Sequence, residues 1–416
     1  MQSPTFSAAP RFQQLMGQVS AWALVLLVFA GPTSRALFNV SALVLLASWA
    51  LSGRLVQHWA VARSSPIALP ALLLFGVIVV GMTYSEAGWR EKWEHLRVYS
   101  KLPFLLLLVA LLQEQKWQLR CWVAFMAAMA LVVGATYLNV ALGVPWSWTG
   151  HSYGTPKDRS VFLDYVIQGV VSGIFIGLAL DRLRDPMLSV RWRAAWLAAA
   201  LVVGYSVLFV LVGKTGPLTL CAVLACFVFW GVPKRARWLA FGLLCVLLVS
   251  LITMAPELSA RFERGLRQLA NPGASLDFGS VGLRWQMWQF SAGLIMESPL
   301  WGHGTGAYHG LAAKHLTHCE LTCFHPHSQF LFFGVEQGLM GVAAYAYFLF
   351  AIYRVARQRI SQGSIAMMGF FAVLVVDSAF NAPLWYRMES YIFYPLIALF
   401  MATGVSALRQ NATSGR

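Results

Sequence analysis

The chain has 416 residues, 58% of them hydrophobic and only 11% charged, with a mean hydropathy of +0.64. Soluble domains carry about a quarter charged residues, so this composition excludes one and points to a polytopic membrane protein. The net charge of +15 does not indicate nucleic acid, because the basic residues sit mainly in short loops between apolar runs, where positive-inside orientation explains them.

In chain order, Met1 to Gln18 is polar and shows no signal-type cleavage site ahead of the first apolar run, which predicts an uncleaved first span. Apolar runs then recur near 19–34, 36–53, 67–83, 102–114, 119–142, 161–180, 194–213, 216–233, 237–255, 329–353, 364–381 and 390–408. At about 20 residues per crossing, they predict an all-α fold of about twelve transmembrane helices. Two pairs are closely joined, around Gly31 to Arg35 and Gly213 to Pro217.

Alternating the loops collects Arg54, Arg63, Arg182, Arg184, Arg191, Arg193, Lys234, Arg235, Arg237, Arg354, Arg357 and Arg359 on one side. That side is expected to be the cytoplasm and to hold both termini. The opposite side receives Tyr84 to Lys101, Gly143 to Ser160, the turn at Lys214, the segment from about Pro256 to Ser328, and Asn381 to Ser390. Nine helices over 1–255, a helical outer loop over 256–328, and three helices with a short cytoplasmic tail over 329–416 follow from this threading.

Tyr84 to Ser100 is amphipathic and carries Trp89, Trp93 and Tyr99, as suits a helix lying at headgroup depth. Within the outer loop, Pro256 to Ala270 reads as a helix with Arg261, Arg264 and Arg267 on one basic face. Ser280 to Ser298 reads as a second, with Leu283, Met287, Phe290 and Leu294 on one stripe and Arg284 and Trp288 on another. It ends at Ser298-Pro299. The run Gly302-His303-Gly304-Thr305-Gly306 follows no strand and no helix clearly succeeds it, so it reads as a tight, packed turn rather than a dinucleotide fingerprint.

Chemistry is best looked for where Cys323-Phe324-His325-Pro326-His327-Ser328 turns into an apolar run. Histidine titrates near neutrality and can serve there as general base, metal ligand or pH switch, or simply cap the helix. His327 is nearer the predicted helix start and ranks above His325 as the base. The neighbouring His315, His318, Cys319 and Cys323 could join these two around zinc, but the order H-x2-H-C-x3-C-x-H-x-H matches no common structural site. No metal is assigned. In an oxidising compartment a Cys319–Cys323 disulfide is the competing use, and spacing does not decide it. Cys121, Cys221, Cys226 and Cys245 lie in apolar segments and read as core.

Lys214 is a lone cation at a helix junction, costly to place without a role. Fixed cations such as Lys214 and Arg284 suit a pyrophosphate, whose charge grows as it leaves. Arg261 and Arg264, with Arg267, fit the same use or plain headgroup contact. Asp377, inside the eleventh apolar run, needs a cation or an imidazole, for which Arg387 and the histidines are candidates. No pair of outward carboxylates has the spacing of a two-carboxylate hydrolase.

The order Gly213-Lys214-Thr215-Gly216, Val281-Gly282-Leu283-Arg284-Trp285, Pro299-Leu300-Trp301-Gly302-His303-Gly304-Thr305-Gly306, His325-Pro326-His327-Ser328 and Glu336-Gln337-Gly338-Leu339-Met340-Gly341 resembles the O-antigen ligase (WaaL) family. That family is grouped with the O-antigen polymerases and the bacterial O-oligosaccharyltransferases. The resemblance covers the span pattern of the whole chain, with its motifs concentrated between about 213 and 341. It implies a metal-independent glycosyltransferase of the bacterial inner membrane, without a cofactor, whose site faces the periplasm. Its donor would be a polysaccharide on undecaprenyl pyrophosphate, its acceptor a sugar hydroxyl of lipid A–core, and its product complete lipopolysaccharide.

The family's histidine, usually followed by asparagine, falls on His327, where Ser328 follows instead. Its loop arginine falls on Arg284. Its other cation, commonly an arginine, falls on Lys214, which keeps the charge without the bidentate fork. On this resemblance His327 takes the hydroxyl proton, the oxygen attacks the anomeric carbon with inversion, and Lys214 and Arg284 stabilise the departing pyrophosphate. His325, Arg261, Arg264, Asp377 and Arg387 would contribute to binding. A polymerase or a protein O-oligosaccharyltransferase would use the same chemistry, and the motifs do not separate them. A transporter finds support only in Asp377 and the cationic turn, with no repeat-related halves.

Overall fold

The computed structural model describes residues 11–143, 158–271, 281–316 and 324–414, with the side chains of 257, 261, 269 and 403–414 left aside. The described residues form helices and turns and contain no strand. The helices are α1 Arg11–Thr33, α2 Arg35–Leu51, α3 Leu55–Arg63, α4 Ala68–Tyr84, α5 Trp89–Tyr99, α6 Lys101–Leu111, α7 Gln115–Leu142, α8 Tyr165–Leu183 and α9 Val190–Tyr205. A single π-helical segment, Ser206–Val210, extends α9. Then follow α10 Thr215–Gly231, α11 Arg237–Met254, α12 Pro256–Ala270, α13 Val281–Glu297, α14 Ala307–His315, α15 Gln329–Ser361, α16 Ala366–Phe380 and α17 Arg387–Ser414.

Each of the twelve apolar runs is helical, and the chain is a multi-pass membrane protein. By length and apolarity, however, only six described helices can cross a membrane unaided: α1, α7, α8, α9 with its π segment, α11 and α15. A seventh is counted if α2 and α3, bent by 113°, form one broken span. The expected twelve are not reached by this measure because α4 and α10 have 17 residues and α16 has 15, short of the ~20 that a 30 Å apolar layer needs.

The outer-loop helices match their sequence pattern. α12 begins on Pro256, which tolerates the first helical position because its missing N–H would be unpaired there. α13 buries Leu283, Met287 and Leu294, with Phe290 packed beside them. Unlike the sequence expectation, a helix does follow the glycine run: α14 starts at Ala307.

Two close approaches set the frame of the site. Gly169 on α8 faces Gly216 on α10, and a Cβ added to either would stand 2.9 Å from the other's Cα. Two apolar helices meet this closely only across small residues. The crossing presses the Lys214 turn against the start of α8. The second approach is between the glycine run and a break in α15, where Gly338 has φ 60° and ψ −153°. A Cβ at Gly302 would stand 2.5 Å from Val335 O, and one at Gly338 would stand 2.5 Å from Leu300 O. The glycine run satisfies backbone groups that the break frees: His303 and Gly304 donate N–H bonds to Val335 O and Glu336 O, both at 2.8 Å, and Leu339 N–H reaches Pro299 O at 2.8 Å.

Glu336 anchors the same lock from the side. Its Oε1 accepts the Gly306 N–H at 3.0 Å and lies 3.1 Å from His95 Nε2. His95 Nδ1 lies 2.9 Å from Glu91 O, and since a carbonyl only accepts, Nδ1 carries a proton. Nε2 faces the Glu336 carboxylate in an ion-pair contact that lacks hydrogen-bond geometry. Burial opposes charge on His95, but Glu336, with Glu91 and Glu94, outweighs it and raises the imidazole above its usual range. The amphipathic α5 thus exposes Trp89 and Trp93 while its buried face holds His95, Val98 and Tyr99.

Candidate active site

The histidine loop ends on Ser328, the N-cap of α15, whose hydroxyl accepts the Leu331 N–H. Serine and asparagine are comparably good caps, so Ser328 does what an asparagine would do after this histidine. His327 holds a left-handed backbone, φ 51°, the one non-glycine residue with positive φ among the described residues. That conformation costs ~1–2 kcal/mol for a residue with a Cβ. It is held from both sides. His325 Nδ1 accepts the His327 N–H at 3.1 Å, and the two rings lie 4.5 Å apart. Trp288, one helical turn beyond Arg284 on α13, donates from Nε1 to Pro326 O at 2.9 Å. The stripe that carries Arg284 therefore also clamps the loop that carries His327.

Because His325 Nδ1 accepts, its neutral form carries the proton on Nε2. His325 is also the more enclosed of the pair, buried among Phe332, Trp385 and Tyr386. Burial, then the nearby Arg284 charge, pushes it down to about 3. Burial, His325 and Arg284 likewise hold His327 well below its usual value, and a side-chain hydrogen bond to Asn381 only partly offsets them. Asn381 in turn donates from Nδ2 to Glu389 Oε1. His327 Nδ1 is enclosed and has no hydrogen-bond partner among the described residues. The arrangement is a neutral imidazole oriented by an amide that is itself held by a carboxyl group.

The cations converge from two turns. Lys214 Nζ donates to Gln268 Oε1 at 3.0 Å, and the same oxygen accepts the Val281 N–H at 3.3 Å. Gln268 on α12 thereby ties the Lys214 turn to the first turn of α13, one turn before Arg284. Burial lowers Lys214, and the charges of Arg284 and Arg264 lower it further. Arg284 is half-buried, and its enclosed Nε has no partner among the described residues. Burial lowers its pKa against the pull of Tyr165, Asp377, Glu389 and Asp164. Asp164 caps α8 by accepting from the Val166 and Ile167 N–H groups, both at 2.9 Å. Burial nevertheless pushes Asp164 up to about 6.

The fold brings His327, His325, Arg284, Lys214 and Asp377 into one electrostatic neighbourhood. Arg264 reaches Lys214 only by its charge, and its Nε bonds Ala260 O in its own helix at 3.1 Å. The Arg261 side chain and the residues His318, Cys319 and Cys323 lie outside the described residues. Arg387 does not serve Asp377; it starts α17 facing outward and pairs with Glu94 on α5. Asp377 instead lies one helical turn below Asn381 and under the charge of Arg284.

Sequence reasoning passed over Asn381, Glu389, Asp164 and Gln268. Glu389 and Asp164 gave the same signal as Asp377, a carboxyl group at or inside an apolar run. The three carboxyls come from α16, α17 and the cap of α8, so no spacing along the chain could pair them.

Residues 192–346 match the Wzy_C family model, described as O-Antigen ligase. The matched segment contains Lys214, Arg284, His325, His327 and both glycine motifs, but not Asp164, Asp377, Asn381 or Glu389. No curated protein matches the chain.

Proposed function

We propose, from the match of residues 192–346 to the O-antigen ligase family model, that the chain transfers a polysaccharide from undecaprenyl pyrophosphate to a sugar hydroxyl of lipid A–core. The observation that carries this reading is a His327 held neutral, its Nδ1 without a hydrogen-bond partner among the described residues, under the charge of Arg284, which itself acts on Lys214. The acceptor hydroxyl gives its proton to His327, its oxygen forms the new bond at the anomeric carbon, and the bond to the pyrophosphate oxygen breaks. The electron pair leaves with the pyrophosphate, where Lys214 and Arg284 meet it. A single displacement inverts the anomeric centre. Binding of the anionic pyrophosphate also offsets the Arg284 charge that depresses His327, so the base strengthens when the donor is present. No step requires a metal or a cofactor. Positive-inside orientation puts this site on the periplasmic face of the inner membrane and both termini in the cytoplasm.

The reading is tested with purified protein, a glycan on undecaprenyl pyrophosphate, and three acceptors offered separately: lipid A–core, a second lipid-linked glycan, and a hydroxyl-bearing protein. Product on lipid A–core that is lost in His327→Ala is expected. Product only on the second lipid-linked glycan makes the chain a polymerase, and product only on protein makes it an oligosaccharyltransferase.

A further inference from the structure

On the same end of the molecule as the histidine loop, but on the far side of the α17 N-terminus, a groove of about 700 Å³ opens between α2 and α6. Its rim carries three cations from separate elements: Arg97 on α5, Lys101 at the start of α6, and Arg387 at the start of α17. Its walls are apolar. Phe38, Leu46 and Trp49 run down one face of α2, and Phe104 and Leu107 run down α6 opposite them. Tyr391 backs the upper part, stacked on Phe38 at 4.1 Å and lying under Lys101 Nζ at 5.1 Å.

Neither Arg97 nor Lys101 has an ion-pair partner among the described residues. Arg387 pairs with Glu94 in a half-exposed contact, and pairs of that kind contribute only ~0–1 kcal/mol. Burial, then the charges of Arg387 and Arg97, lower Lys101 to about 7, and an anion bound at the rim restores its charge and relieves the repulsion. The depth of the groove is also informative. From Phe38 to Trp49 the helix rises about 16 Å at ~1.5 Å per residue, half of a ~30 Å hydrocarbon layer. Below Trp49, α2 ends at Leu51 and bends by 113° into α3. A ligand that fits has an anionic head at the polar rim and a hydrocarbon chain one leaflet long.

We infer that this groove is a binding site for a phosphate-bearing membrane lipid, separate from the pyrophosphate cations Lys214 and Arg284. The proposal rests on the transferase reading only for the lipid's role, which is to carry the acceptor. A transferase joining two lipid-borne substrates needs a second anchoring point, and this one lies within reach of the site: Tyr386, the residue before Arg387, sits 6.0 Å from the His325 ring.

The test uses the full chain in phosphatidylcholine nanodiscs, with phosphatidic acid carrying a photoreactive diazirine in its acyl chain, and the equivalent choline-headgroup lipid as the comparison. Labelling of α2 and α6 peptides by the phosphatidic acid probe is expected to exceed that by the choline probe. It should fall about fivefold for each cation removed in Arg97→Gln and Lys101→Gln. Leu46→Trp, at a position 41% exposed in the groove wall, should block labelling of α6 while leaving the rim charges intact. Equal labelling by the choline probe, or labelling unchanged in the neutral variants, overturns the proposal. Glycan transfer without groove labelling defeats this inference alone, whereas headgroup-selective labelling in a protein that transfers nothing to any acceptor leaves the groove standing and defeats the transferase reading.

Discussion

Replacing His325 separates a positioning role from a chemical one. Its Nδ1 is the acceptor for the His327 N–H at 3.1 Å, and His327 already bears a left-handed backbone. His325→Ala leaves that N–H without a partner, and an unsatisfied buried donor costs ~1–3 kcal/mol. The backbone then favours conformations that point the His327 ring elsewhere. At 1.4 kcal/mol per factor of ten, turnover should fall by roughly five- to 150-fold, with KM little changed because His325 lies enclosed among Phe332, Trp385 and Tyr386. His325→Asn should recover much of the loss, since an asparagine side-chain oxygen accepts the N–H two residues on in an Asx-turn. Initial rates of glycan transfer, with donor and acceptor varied in turn, measure both effects. An alanine variant as active as the parent, or an asparagine variant no better than alanine, would refute the reasoning.

Three further outcomes follow from the same geometry. The neutral, base-competent form of His327 should persist as pH falls through 6.5, because burial, His325 and Arg284 hold its pKa well below that value; an acid limb of kcat/KM at or above 6.5 contradicts this. Stability should move the other way with pH. The raised pKa of His95 contributes stability that is complete below 6.5 and is lost as pH rises through the folded value, so the thermal midpoint should drop on the alkaline side and Glu336→Gln should remove that dependence. Lys214→Ala should cut turnover while costing only ~1 kcal/mol of stability for its single hydrogen bond, and Lys214→Arg should retain activity; full turnover in the alanine variant removes Lys214 from the site.

Where periodicity was strong the sequence was a good guide. The bounds of α12 and α13 follow from Pro256 and from the Ser298-Pro299 stop, and the stripe shared by Arg284 and Trp288 does face the histidine loop. α14 was missed because Ala307–His315 is short and has no side-chain cap. The glycine run was legible as a packed turn, but its partner was not, since Gly302 and Gly338 meet only once α15 breaks. In the site, His327, Arg284 and Lys214 could be singled out as costly residues at helix boundaries. The group that orients His327 could not: Asn381 is an ordinary residue in sequence, and Glu389, though a carboxyl group at the edge of an apolar run, has no visible partner until α16 and α17 fold against the loop.

The central claim is that Lys214 and Arg284 grip a diphosphate beside His327. An experimental structure of the full chain with undecaprenyl pyrophosphate tests it most directly. Both phosphates are expected between the Lys214 turn and the first turns of α13, with the His327 ring facing the departing oxygen. A diphosphate bound in the groove of Arg97, Lys101 and Arg387, with the Lys214 and Arg284 cleft unoccupied, would contradict it.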